Sequence, residues 1–187
     1  MLNVCFFLWG IAVVYANYLA ATYASKRVSL IQDKPLPDIL HDVFPKLYKH
    51  VPDYLLLLCM VYTFFNYTFF NCKVHNIDIC ILLCSLSLRP IFICLTTFPS
   101  CNEEEEENPS LYCTLFLSKH DLMFSGHTCC FLFFGSAIRG TFGTCVRWFF
   151  PWALVAARQH YTIDIVVAML VYHLVRQWCS RLSLLLS

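Results

Sequence analysis

His160 and Asp164 stand four residues apart in the run His160-Tyr161-Thr162-Ile163-Asp164. On a helix that spacing puts both on one face. An aspartate one turn from an imidazole can accept the N–H of one ring nitrogen. That fixes the tautomer and leaves the other nitrogen as nucleophile or base. A second histidine, His127, lies in Phe124-Ser125-Gly126-His127-Thr128. If a helix begins there, the backbone N–H groups of residues 125–128 suit a phosphate. Arg89, in the middle of an otherwise apolar run, could add a bidentate contact to phosphate oxygens. Each feature has a packing alternative when taken alone. A lone histidine can be structural, His160 and Asp164 can be a simple intrahelical pair, and Arg89 can snorkel to an interface. The three together are hard to explain as packing. The remaining histidines, His41, His50, His75, His120 and His173, have no comparable setting and read as loop or interface residues.

The elements that must position these groups follow from composition. The chain has 187 residues, 59% hydrophobic, 17% aromatic and 13% charged, with a net charge of +1. Its mean hydropathy is +0.62. A soluble domain carries about 25% charged residues. Half that charge does not cover a globular surface, which argues against a soluble enzyme, a disordered chain or a nucleic-acid binder. An integral membrane protein of one compact domain, residues 1–187, remains. Most of the 12 cysteines sit inside apolar runs, with no CxxC pair and no Cys/His zinc spacing. There they read as small hydrophobes. The exception is Cys101 and Cys113, which flank a polar stretch and could pair if that loop faces an oxidising lumen.

A bilayer core about 30 Å thick needs about 20 apolar helical residues. Residues 1–24 are free of charge, and Lys26-Arg27 follows closely. This run reads as a span rather than a cleaved leader, since no basic segment precedes it and its apolar part is long. Residues 54–72, 79–101 (interrupted by Arg89) and 122–138 are further candidates. Residues 141–157, with Pro151 inside, form the weakest, and 161–178 the last. The expectation is an all-α bundle of six transmembrane helices. The acidic run at residues 103–107 reads as a solvated loop tip. Seven Lys or Arg on one side against five on the other do not decide orientation. With six spans, the starts of the fourth and the sixth face the same side. His127, His160 and Asp164 then meet at one membrane surface, where ionisable groups are expensive and functional by default.

Four segments resemble the motifs of a known family. Ser125-Gly126-His127-Thr128 and the run from His160 to Val166 look like the third and fourth motifs of the sphingomyelin synthases, relatives of the lipid phosphate phosphatases. Pro35-Leu36-Pro37-Asp38 resembles the first motif, and Arg89 through Thr96-Thr97-Phe98-Pro99 the second. The resemblance implies a six-helix, lipid phosphatase-like core and a phosphosphingolipid synthase. His160 would attack the phosphorus of a glycerophospholipid head group, phosphocholine above all, with Asp164 holding its ring. His127 would protonate the departing diacylglycerol and then deprotonate ceramide. Arg89, Ser125, Gly126 and Thr128 would bind the phosphate, with no cofactor and no metal. The site would face the lumen or exterior of the Golgi or plasma membrane, which also permits a Cys101–Cys113 disulfide. The sequence departs from the family at Lys119-His120-Asp121, where Cys-Gly-Asp is usual, and in the less basic Leu88-Arg89-Pro90. Arg158, two residues before His160, is a candidate for replacing the missing positive charge.

Two further readings stay open. A lipid phosphate phosphatase would use the same trio with water as acceptor. Its usual Lys and Arg are Leu82 and Leu154 here, which fits a less charged diester donor better. A non-catalytic lipid-binding relative is the third. Tyr161, Trp148 and Trp152 could box a quaternary ammonium, but in so aromatic a chain they read as packing or as an interfacial belt.

Overall fold

The computed structural model describes residues 2–28, 34–70, 75–101, 122–138 and 140–186. Among them every regular element is helical: α1 (Leu2–Val28), α2 (Ile39–Val43), α3 (Val51–Phe70), α4 (Asn76–Leu95), α5 (Gly126–Ala137), α6 (Gly140–Trp148), α7 (Phe150–Ala156) and α8 (Thr162–Leu186). The expected segments at residues 102–121, which include Lys119, His120, Asp121, Cys113 and the acidic run, lie outside the described residues.

Among the described residues three helices are long and apolar enough to cross a bilayer: Val4–Arg27, Asn76–Leu95 and Thr162–Leu185. Their large apolar side chains face outward. Phe7, Ile11 and Tyr15 on α1, and Leu174 and Trp178 on α8, are all exposed. Outward apolar faces of this extent fit a lipid environment rather than water. α3 also exposes large apolar side chains, among them Leu57, Val61, Phe64 and Phe69.

The expected fourth and fifth segments are shorter than a full crossing. α5 has 12 residues, about 18 Å of helix at 1.5 Å per residue. The fifth segment breaks at Phe149 into α6 and α7, because Pro151 cannot donate inside a helix and sits in the first turn of a new one. α5 and α6 form a tight hairpin through Gly140, whose φ of +81° suits glycine. The two helices approach closely at Gly135 and Gly143. A Cβ on Gly143 would lie 1.9 Å from the Ile138 carbonyl oxygen.

α5 occupies the centre and packs against α3, α4, α6, α7 and α8. One apolar cluster joins Cys59 of α3, Phe131 of α5, Val146 of α6, Leu154 of α7 and Ile165 of α8. A second joins Ile81 of α4, Cys129, Leu132 and Phe133 of α5, and Ala168 and Tyr172 of α8. α1 packs against α4 on the outside of this core.

α4 continues through Pro90. A proline has no N–H, so the carbonyl of Leu86 loses its helical partner. Asn17 of α1 supplies one: its Nδ2 donates to Leu86 O at 3.0 Å. The Oδ1 of the same amide accepts from Arg89 Nη1 at 2.9 Å. The break in α4 is thus repaired by the neighbouring helix, and the repair holds Arg89.

Candidate active site

The site is assembled around the first turn of α8. Asp164 is fully buried and His160 nearly so. Asp164 Oδ2 lies 3.1 Å from His160 Nδ1 and accepts the Tyr161 N–H at 3.0 Å. Its Oδ1 accepts the Met123 N–H at 2.8 Å, and its backbone oxygen the Ser125 N–H at 3.4 Å. A carboxylate there only accepts, so Nδ1 is the ring nitrogen placed to donate and Nε2 is the one turned away from Asp164. One aspartate therefore orients the imidazole, caps its own helix and ties down the segment entering α5. That segment includes Met123 at φ 84°, a conformation that costs a bulky residue about 1–2 kcal/mol. Burial of Leu122 and Phe124 on either side helps hold it there.

Asp38 fastens a second segment to the same turn. Its carboxylate accepts from the Thr162 N–H and the Thr162 hydroxyl, each at 2.6 Å, and from the Leu40 N–H at 3.0 Å. It caps α8 from outside while capping α2. Burial pushes this carboxyl up, but the Thr162 and Leu40 hydrogen bonds and nearby His41 outweigh it and hold it below the usual carboxylate range. The Tyr161 hydroxyl accepts from the Leu36 N–H at 2.9 Å and donates toward Pro99 O at 3.1 Å. The 35–38 and 96–99 segments thus both dock on α8.

His127 lies in the first turn of α5, with Nε2 3.2 Å from Asp53 Oδ1. The carboxylate oxygen and the ring nitrogen thus face each other at ion-pair distance. The other oxygen of Asp53 is 3.3 Å from His50 Nδ1. Asp53 sits in the first turn of α3, ahead of the apolar run that begins at Tyr54. Burial pushes its carboxyl up, and His127 and His50 pull it further down, so it lies below the usual range. Asp53 and His50 are functional candidates that sequence reasoning missed. The His50-x2-Asp53 spacing at a helix start was the available signal, but nothing local tied it to His127.

The expected phosphate ligands are near one another, with their donors partly engaged. Ser125 Oγ caps α5 by accepting the Thr128 N–H at 3.2 Å. Thr128 is fully buried, and its hydroxyl has no hydrogen-bond partner among the described residues. Arg89 lies against the start of α5: a Cβ on Gly126 would be 3.4 Å from its Nε. That Nε donates to Phe124 O at 2.9 Å. Arg89 therefore holds the entry to α5.

Other candidates have different places. Arg158 donates to the carbonyls of His41, Phe44 (3.2 Å) and Val155 (3.1 Å), so it clamps the α2 segment. His41 comes to the site: its Nε2 is 3.1 Å from His160 O, and its ring stacks on Tyr161 at 5.6 Å. Trp148 stacks on His173 at 6.0 Å, about 18 Å along α8 from Tyr161 by helical rise. Trp152 packs against the core. The three aromatic rings do not form one box.

No protein-family model matches the chain, and a search of curated proteins finds no match.

Proposed function

We propose that the chain is a phosphosphingolipid synthase, moving a phospho-head group, phosphocholine above all, from a glycerophospholipid to ceramide. The observation that carries this reading is the pair of carboxylate-held imidazoles at adjoining helix starts. His160 is held through Nδ1 by Asp164 and His127 through Nε2 by Asp53. His160 Nε2 attacks phosphorus, and the bond from phosphorus to the diacylglycerol oxygen breaks. That oxygen takes a proton from His127. Ceramide then binds, gives its hydroxyl proton to His127 and attacks the phosphohistidine. The P–N bond breaks and His160 is restored. This is covalent catalysis combined with general acid–base catalysis. The membrane arrangement we propose has six helical segments in a lipid phosphatase-like core, with α5 and α6–α7 as a short helical pair enclosed by the longer helices. The site opens to the lumenal or exoplasmic leaflet of the Golgi or plasma membrane.

The test is cell-free synthesis into liposomes holding fluorescent ceramide and one of phosphatidylcholine, phosphatidylethanolamine or phosphatidylinositol. His160→Ala runs beside it, with products separated by thin-layer chromatography. A new phosphosphingolipid that vanishes in the variant supports the transferase and names its head group. Hydrolysis of a lipid phosphate instead moves the chain to the phosphatase reading. No turnover of either kind moves it to a lipid-binding one.

A further inference from the structure

The thiols of Cys80, Cys84 and Cys179 converge, with their sulfur atoms all within 4.8 Å of one another. Cys80 and Cys84 are one turn apart on α4, and Cys179 comes from the far part of α8. Among the described residues this is the only group of three or more His, Cys, Asp or Glu side chains whose ligand atoms lie so close. It is separate from the imidazole site, which is built on the beginnings of α5 and α8.

We propose that Cys80, Cys84 and Cys179 bind one soft metal ion of the Cu(I)/Zn(II) class. A point equidistant from three atoms at that limiting spacing lies about 2.8 Å from each, and a Zn–S bond is about 2.3 Å. Closing the gap takes a shift of a few tenths of an ångström at each sulfur, within reach of small χ1 adjustments. An all-sulfur set selects soft cations and rejects Mg2+ and Ca2+, which require oxygen. On binding, each thiol that becomes a ligand releases its proton to water as its S–metal bond forms, and no electron is transferred. All three thiols are partly accessible rather than sealed, so an ion has a way in. The bound ion would cross-link α4, which carries Arg89, to α8, which carries Asp164.

The experiment uses the full chain, reduced and purified in detergent without oxygen. It is offered one equivalent of Cu(I) or of Zn(II), then desalted and its metal content measured. The expected result is about one ion per chain for at least one metal. Retention should fall at least tenfold in Cys84→Ser and in Cys179→Ser and stay unchanged in Cys94→Ser, whose thiol is exposed elsewhere on α4. Retention of neither metal, or equal retention by Cys84→Ser, overturns the proposal. Should the serine variants not fold, maleimide labelling of the unaltered chain decides. Metal should slow alkylation of these three cysteines at least tenfold, reversibly with chelator, and leave Cys5 and Cys94 unaffected. Unchanged labelling of the three overturns it.

Discussion

Asp164 holds His160 and Met123 at once, one carboxylate oxygen 3.1 Å from the imidazole Nδ1 and the other 2.8 Å from the Met123 N–H. The nucleophile candidate and the strained entry to α5 are thereby set by one side chain. Asp164→Asn would turn an amide donor toward either the ring or the Met123 N–H, and both are donors. Turnover in liposomes should fall about 10²-fold or more, the range of a positioned acid–base group. The protein should stay folded by gel filtration. Unchanged turnover would remove His160 from the reaction as drawn.

Asp53→Asn tests the second pair. The charge that orients His127 is lost, while the side chain keeps its volume. Both half-reactions use His127, so the rates of forming and resolving the phosphohistidine should drop together, each by about tenfold or more. His50→Gln should cost less, because His50 touches only the far oxygen of Asp53. Rapid-quench measurement with a radiolabelled head group separates the two steps.

Asp38→Ala removes an external cap from α8 and the cap of α2 together. A lost cap costs about 0.5–2 kcal/mol, read as a lower melting temperature in detergent. The pH dependence has a definite sign. The folded value of Asp38 lies below its unfolded one. Its contribution is full above the unfolded value of about 3.9 and is lost as pH falls through the folded value. Asp38→Asn should therefore flatten the melting temperature in that acidic window, while leaving its neutral-pH slope unchanged.

Asn17→Ala leaves the Leu86 carbonyl without its donor and removes an acceptor from Arg89. A cost of about 1 kcal/mol is expected for leaving a half-buried carbonyl unsatisfied. Pro90→Ala restores a helical N–H to Leu86. The cost of Asn17→Ala should then be smaller in the Pro90→Ala background, a coupling that a double-mutant cycle of melting temperatures reads directly.

Gly143→Ala and Gly10→Ala should separate sharply. The new methyl at position 143 would collide with the backbone oxygen of Ile138, whereas at position 10 the nearest atom is a Leu83 side-chain carbon at 4.0 Å. Overpacking costs about 1–3 kcal/mol, and a backbone collision belongs at or above the top of that range. Yield of monodisperse protein should collapse for the first variant and stay normal for the second.

His160 and Asp164 were legible because a helical i,i+4 pair is a local fact. The apolar runs of α1, α4 and α8 were legible for the same reason. His127 with Asp53 was not, because that contact joins the starts of two helices far apart in sequence. Asn17 and Arg89 are 72 positions apart, and no pattern in either helix announces their bond. Asp38 was visible as part of a motif, but its role as an external cap depends on the loop folding back onto α8. The break at Phe149 was half visible: Pro151 weakened the segment without showing that two helices would replace it. His41 looked isolated because its partners, Tyr161 and the His160 carbonyl, arrive from the other end of the chain.

Arg147 and Arg176 both donate to Ser136 Oγ, at 3.0 and 2.9 Å, and Arg147 also donates to Gly135 O at 3.2 Å. These are the closing residues of α5, where the aligned peptide dipoles leave about half a negative charge. Two guanidinium groups offset that charge. The opposite end, at Gly126 and His127, carries about half a positive charge. The central helix is thus polarised along its length toward the imidazole site, and its field favours a negatively charged group arriving there.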